Sequence, residues 1–327
     1  MNMKNDENQS EFFLDDKEFE KTMRKSRRKA IIKNVVITGS VLIALYGGLT
    51  FGNNYWLSER LTKEDDVEGS WLSITEPNIE QNATFYNWNS FSVDATHEYS
   101  KKIGERIIPW ESLSGHYNLI RSEKASSNLI THYNEKRKGF ETYNGQNGQR
   151  ELIFYHPKVQ YKQVPNDLNL LDEIGANKYV EYALSFDRPY SFSEVQKLLD
   201  KQNTEWLWVE TEPDEEIQSM NQQELTGEEE RETFYRGNIY GYPYNSQNDW
   251  QSPELFIDTL KSPDFYGDYA DKAKKVLTRL KKDNPKLDSE KVKIVGAVVT
   301  GTPDELKKYQ NKEFIRASSL GATIDKY

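Results

Sequence analysis

The chain has 327 residues, room for two domains or one large one once any tail is set aside, and it carries a formal charge of -10 with 13% aromatics. It has no cysteine, which excludes disulfides, Cys-ligated zinc and thiol catalysis. Residues 1–20 hold seven acids and two bases, residues 21–34 hold seven bases and no acid, and the remainder holds 34 bases and 46 acids. A body this acidic is a poor nucleic-acid binder, because phosphate contacts need clustered Lys and Arg.

Residues 11–23 read EFFLDDKEFEKTM. Phe12, Phe19 and Met23 stand at i, i+7 and i+11, one side of a helix, and Glu20 precedes Arg24 by a favourable four residues. A tail of 34 residues cannot bury these aromatics against itself. It therefore stays disordered, lies on the inner leaflet, or folds its apolar side into a partner's groove.

From Val35 to Phe51 the chain is free of charge, and Gly52, Asn53, Asn54 and then Tyr55, Trp56 and Leu57 follow. Seventeen residues span roughly 26 Å, a little short of a hydrocarbon core, and the Tyr-Trp pair suits the interface. A buried core helix is the alternative, but such helices keep a polar stripe. Lys21, Arg24, Lys25, Arg27, Arg28, Lys29 and Lys33 precede the segment, whereas only Arg60 and Lys63 follow closely. This asymmetry predicts a cytoplasmic N-terminus and an extracytoplasmic remainder. A cleaved signal peptide is disfavoured by the long leader and by the lack of an A-x-A-like site. Ser40, Ala44, Gly48 and Gly52 recur every four residues, a small-residue face another helix could approach, though such residues are common in membrane helices. The organisation expected is a tail over 1–34, a transmembrane helix over 35–57, a strand-rich outer region over 58–160 and a C-terminal α+β domain over 161–327.

Beyond the membrane, Asp65–Glu68 reads as a short acidic linker, and Ser70–Thr75 and Thr84–Val93 read as strands. Phe85, Tyr86, Trp88 and Phe91 are assigned to sheet packing in preference to sugar stacking. Residues 134–150 are polar and Gly-rich, a loop or boundary, and Leu152–His156 is a further strand. Val180, Tyr182, Leu184 and Phe186 alternate as in a strand. Ser191 and Glu194 form a capping box that opens a helix, and Trp206–Val209 returns as a strand. The unit recurs: Val292–Val299, then Thr302, Pro303 and Glu305 as cap, N1 proline and capping-box acid, then Glu313–Ser318. Between the two units, helices begin at Ser252–Pro253 and run through Tyr269, Ala273, Val276, Leu277 and Leu280 towards Pro285. The fold class expected is α+β, a sheet covered by helices on one side, with two strand–capped helix–strand units. Glu210–Glu232 reads as a mobile surface loop without the spacing of an EF-hand.

No catalytic pattern emerges. His97, His116, His132 and His156 show no i, i+4 pairing, and there is no H-E-x-x-H, G-x-S-x-G or Walker loop. No enzyme activity, cofactor, metal or small-molecule substrate is expected.

Two regions carry a family resemblance. One is Phe19-Glu20-Lys21 leading through Arg24–Lys29 into the apolar segment. The other, from about Asn166 to Ile324, contains YALSFDRPY (Tyr182–Tyr190), NIYGYP (Asn238–Pro243), VVTGTP (Val298–Pro303) and IRASS (Ile315–Ser319). In these the chain resembles the sigma-factor regulator family of membrane-bound anti-sigma factors. The resemblance implies a negative regulator holding an extracytoplasmic-function sigma factor at the membrane. It departs from anti-sigma factors that use a His-Cys-Cys zinc site, since this chain has no cysteine. Contact must then come from the tail, alone or with a second membrane protein. The residues expected to bind the sigma factor are Phe12, Phe13, Leu14, Phe19 and Met23. The outer domain would sense envelope state and alter the tail's availability by proteolysis or by helix rearrangement. The rival readings are a surface-anchored binding module for cell-wall polymer or protein with an inert tail, and an envelope enzyme.

Overall fold

A computed structural model describes residues 16–135, 139–225, 230–244 and 252–327. The chain divides into two compact units, Met1–Trp56 and Leu57–Tyr327.

The described part of the first unit is helical. Helix α1 spans Asp16–Thr75 and contains a stretch long and apolar enough to cross a membrane. Its apolar side chains, among them Ile31, Val35, Leu42, Leu45 and Phe51, are exposed, the surface a lipid-facing helix presents. Glu20 and Arg24 pair at 3.5 Å, one turn apart.

In the second unit, α1 continues from Leu57 to Thr75, where a linker at Asp65–Glu68 and a strand at Ser70–Thr75 were expected. The correction has a packing cause. Val67, Trp71 and Ile74 recur at helical spacing and are buried in the main core, so tertiary burial overrides the local acidity. Asp65 and Glu68 are not linker residues but accept hydrogen bonds from Tyr86 and Tyr99.

After α1 come β1 (Ile79–Trp88), β2 (Ser92–Ile103), β3 (Arg106–Asn118) and β4 (Ser122–Lys124), an antiparallel sheet in that order. The single strand expected over Thr84–Val93 is two strands joined by a tight turn. Of its aromatics, Phe85, Trp88 and Phe91 are exposed and only Tyr86 reaches inward, so the core assignment fails for three of the four. A two-stranded ribbon follows, β5 (Leu129–Asn134) and β6 (Gly139–Asn144), the second strand lying within residues 134–150 read as a loop or boundary. Leu152–His156 is extended and buried but joins no ladder, touching Phe234 through one bridge at Phe154.

The remaining elements are β7 (Lys178–Ser191), α2 (Phe192–Leu198), β8 (Thr204–Val209), α3 (Asp214–Gln222), β9 (Gly241–Pro243), α4 (Pro253–Leu260), α5 (Gly267–Asp283), β10 (Lys293–Gly301), α6 (Pro303–Leu306) and β11 (Ile315–Asp325). The strands form an antiparallel sheet in the order β11-β7-β10-β8-β9. Both capping boxes form: Ser191 with Glu194 and Thr302 with Glu305 each exchange side-chain and backbone hydrogen bonds. Each box starts a helix that carries the chain over the same face. That face buries Tyr182, Leu184, Leu207, Ala297 and Val299 against α1, α2, α4, α5 and α6. The opposite face buries Ala183, Trp206, Trp208, Val295 and Val298 under Leu152, Phe154, Ile217 and Phe234. Burial on both faces explains why β10 reads as a near-continuous apolar run.

The mobile loop expected over Glu210–Glu232 is also corrected. Within it α3 docks Ile217 into the second core cluster, Glu216 pairs with Arg279 at 2.7 Å, and Glu212 is buried near the same arginine. An acidic sequence hid the helix, because only Ile217 and the partly buried Met220 dock it and cations from another helix balance its charge.

Candidate functional site

The tail residues come first. Phe19 and Met23 lie on α1 and are 54% and 43% exposed, available to a partner. Phe12, Phe13 and Leu14 lie outside the described residues. Lys21, Arg24, Lys25, Arg27, Arg28, Lys29 and Lys33 all sit on exposed positions of α1 ahead of the apolar stretch. Ser40, Ala44, Gly48 and Gly52 are exposed too, and a Cβ added at Gly48 or Gly52 would meet nothing among the described residues.

The second site lies where α1 ends inside the Leu57–Tyr327 unit, and no sequence pattern announced it. Trp71 is set against Tyr240, Phe265 and Tyr269 at ring distances of 6.1, 5.5 and 5.4 Å. The Trp206 indole donates to the Ser73 carbonyl at 3.0 Å, and the Gly237 amide donates to the Thr75 carbonyl at 3.1 Å. These bonds take up backbone acceptors at the helix C-terminus that would otherwise be orphaned.

Immediately beyond, six charged side chains gather between the two main sheets. Arg236 donates to both Glu111 oxygens at 2.7 and 3.0 Å and lies 3.2 Å from Glu151 and 3.5 Å from Glu76. Lys101 donates to Glu181 at 2.9 Å, with both side chains essentially inaccessible, and lies 4.1 Å from the centre of the Trp110 ring. Asn78, at a positive φ of 59°, donates to the other Glu181 oxygen at 3.0 Å and to the Lys102 carbonyl. Two cations therefore face four carboxylates.

Burial pushes the Glu76 carboxyl up to about 7, against the pull of Arg236, and its Oε2 accepts no hydrogen bond among the described residues. Glu151 is raised as well, again by burial first. Burial works the same way on Glu111, but the two Arg236 bonds, with Ser127 and Asn144, outweigh it and hold that carboxyl below its ordinary range. The shared positive charge is thus spent mainly on Glu111, and Glu76 is the carboxylate least compensated.

Two further features belong to this unit. A pocket of about 620 Å³ is lined by Phe140, Arg150, Tyr155, Tyr161, Asp167 and Tyr235, among others. Arg150 is held there by Glu141 and, at 3.6 Å, by Asp167. Separately, Asp65, Glu68 and His97 bring ligand atoms within 4.8 Å of one another, a set that could hold a cation. Lys124 already places its ammonium on Glu68 and on the Tyr99 hydroxyl. Burial, then Lys124, lowers the His97 pKa.

The motifs that carry the resemblance turn out to build the scaffold. Arg316 donates to the carbonyls of His156 and Val159, both at 2.8 Å, and staples that loop under β11. Gly241 admits β9 against the Leu207 carbonyl and the Trp206 ring, where any Cβ would clash.

Residues 20–108 match the description Sigma factor regulator N-terminal, and residues 171–322 match Sigma factor regulator C-terminal. No curated protein and no solved structure matches the chain. The N-terminal match runs from Glu20 along α1 to the start of β3, taking in Met23 but not Phe19, and the C-terminal match takes in almost all of the five-stranded sheet. The Lys101–Glu181 pair joins one matched region to the other. The two matches cover well over half of the sequence in the order a regulator of this type requires, and the chain belongs to the sigma factor regulator family.

Proposed function

We propose that the protein is an anti-sigma factor anchored by one transmembrane helix, with its tail in the cytoplasm and Leu57–Tyr327 outside. The tail holds an extracytoplasmic-function sigma factor through Phe12, Phe13, Leu14, Phe19 and Met23, and the outer domain reports on the state of the envelope. The single observation that carries this reading is the paired family match, since a sigma factor regulator needs a sigma factor as partner. The exposure of Phe19 and Met23 supports the tail as the contact, and the run of basic residues before the apolar stretch supports the proposed orientation. The pocket beside Arg150 supports recognition of an external ligand by the outer domain.

The test is Phe12→Ala combined with Phe19→Ala in the full-length protein, with the membrane level of the variant measured alongside. Truncating a buried interface aromatic costs about 2 kcal/mol or more, roughly thirtyfold in affinity. Target transcription should rise without a stress signal, while charge-preserving changes at Lys17 and Glu18 leave it low. A stably inserted double variant that still represses would overturn the tail contact and favour the surface-anchored binding module.

A further inference from the structure

At one end of the four-stranded sheet, apolar side chains of two neighbouring turns are exposed together. The β1–β2 turn and the β3–β4 turn lie side by side there, because Ser92 pairs with Asn118 and Val93 with Tyr117. Trp88 is 41% exposed at the first turn, and Leu119 and Ile120 are 50% and 95% exposed at the second. Two consecutive aliphatic residues at the tip of a tight turn depart from ordinary turn chemistry, which favours Gly, Asn, Asp and Ser.

The second turn is built, not loose. The Asn118 side chain accepts from the Ile120 and Arg121 amides, both at 2.9 Å, and the Asn118 amide donates to the Arg121 carbonyl. Arg60 of α1 then donates to the Asn118 carbonyl at 3.1 Å and to Ser122, so the turn is held against the start of the helix segment. Leu57 and Leu61 pack on Val93, Ala95 and Tyr117 at this same end, whereas Leu72 packs near Ile103 and Trp110 at the other. The exposed tips therefore stand beside Leu57, where the chain enters the domain. Leu57 follows directly on Tyr55 and Trp56, which close the apolar segment. Trp88, Leu119, Ile120 and the exposed Arg121, at the end of the domain where the chain enters, have the composition of an interfacial anchor.

We propose that the paired hairpin tips rest in the headgroup region of the bilayer in which the chain is anchored, with Trp88, Leu119 and Ile120 as the inserted side chains. The partner is a lipid surface. The inference rests on the reading of residues 35–57 as a membrane span. It adds a second, non-covalent footing that holds the sheet at a set height.

The chain has no native cysteine, so one introduced thiol is unique. Ile120→Cys, Ile107→Cys and Leu45→Cys are each made in the full-length protein, labelled with a polarity-sensitive dye and reconstituted into phosphatidylcholine–phosphatidylglycerol vesicles. Quenching is read with spin labels placed near the headgroups for residues 107 and 120, and at the acyl-chain ends for residue 45, which lies mid-span. Ile107 is an exposed aliphatic residue at the opposite end of β3, roughly 35 Å away by strand rise. The dye at 120 should shift to the blue and be quenched, and the dye at 107 should do neither. If 45 is quenched and 120 is not, the hairpin footing is wrong and the span stands. If neither is quenched, the membrane reading itself falls, and this inference with it. Equal quenching at 107 and 120 would also overturn it, since the contact would not be confined to the tips.

Discussion

Lys101→Met removes the cation that pairs with Glu181 among the described residues and keeps most of the side-chain volume against Trp110. Glu181 would retain Asn78 and, at 3.4 Å, the Ala322 amide as donors, but no neutralising charge at contact distance among the described residues. Breaking a buried pair by taking one partner costs about 3–5 kcal/mol, because the other charge is left in a low-dielectric site. A domain of this size loses roughly 2–4 °C of melting temperature per kcal/mol, so the single variant should melt roughly 6–20 °C lower. Lys101→Met with Glu181→Gln removes both charges and keeps an acceptor for Asn78, so it should recover most of the loss. Near-ultraviolet circular dichroism of the full-length protein in nanodiscs follows the unfolding through its buried tryptophans. A single variant within about 1 kcal/mol of the parent, or a double variant no better than the single, would refute the placement of this pair at the junction of the two sheets.

Glu76 binds its proton more tightly folded than unfolded, so its contribution to stability falls as pH rises from about 4.5 to about 7 and stays low above that. The total is at most about 3 kcal/mol, and Glu76→Gln should flatten that part of the profile and stabilise the protein at pH 8; an unchanged pH profile would count against the assignment. Glu212, raised to about 7 by burial, supplies a slope of the same sign that the variant leaves in place. Trp71→Ala empties the space shared with Tyr240, Phe265 and Tyr269 and should cost about 3–5 kcal/mol in chemical denaturation. Gly241→Ala should cost about 1–3 kcal/mol or more by driving β9 off the Leu207 carbonyl, seen as lost stability with unchanged membrane insertion.

The elements legible in the sequence are those whose signals are local. Ser191 with Glu194, and Thr302 with Glu305, lie three residues apart and cap in the manner their spacing implies. The alternation in β7 and the apolar run of β10 stand out without any partner being known. Illegible elements depended on distant company. Ser70–Thr75 has no helical stamp until Phe265, Tyr269 and Tyr240 are in place to receive Trp71. The acids of α3 look like a solvated loop until Arg279 is set beside them. Phe85 and Trp88 looked like core because aromatic residues in a strand usually are, and only the sheet's pairing shows which of them face outward. The charge cluster was beyond reach, since Lys101 and Glu181 are eighty residues apart and nothing in 53 acids and 43 bases singles them out.

The burial of α1 in the main core also sets an order of events during synthesis. Trp71 is made early, yet its ring partners Phe265 and Tyr269 arrive nearly two hundred residues later. At ordinary ribosomal speeds that is a wait of roughly ten to forty seconds. The central pairing is later still: β7 cannot be flanked on both sides until β10 and then β11, the last strand, have emerged. High contact order of this kind makes folding slow. Through the whole interval the Val67–Trp71–Ile74 face is exposed on the nascent chain. The apolar surface at risk is therefore at the front of the domain, and the residues that cover it are at the back. A chain stalled before Phe265 would present that face uncovered, so growth-rate and chaperone supply bear on how much regulator reaches its finished state.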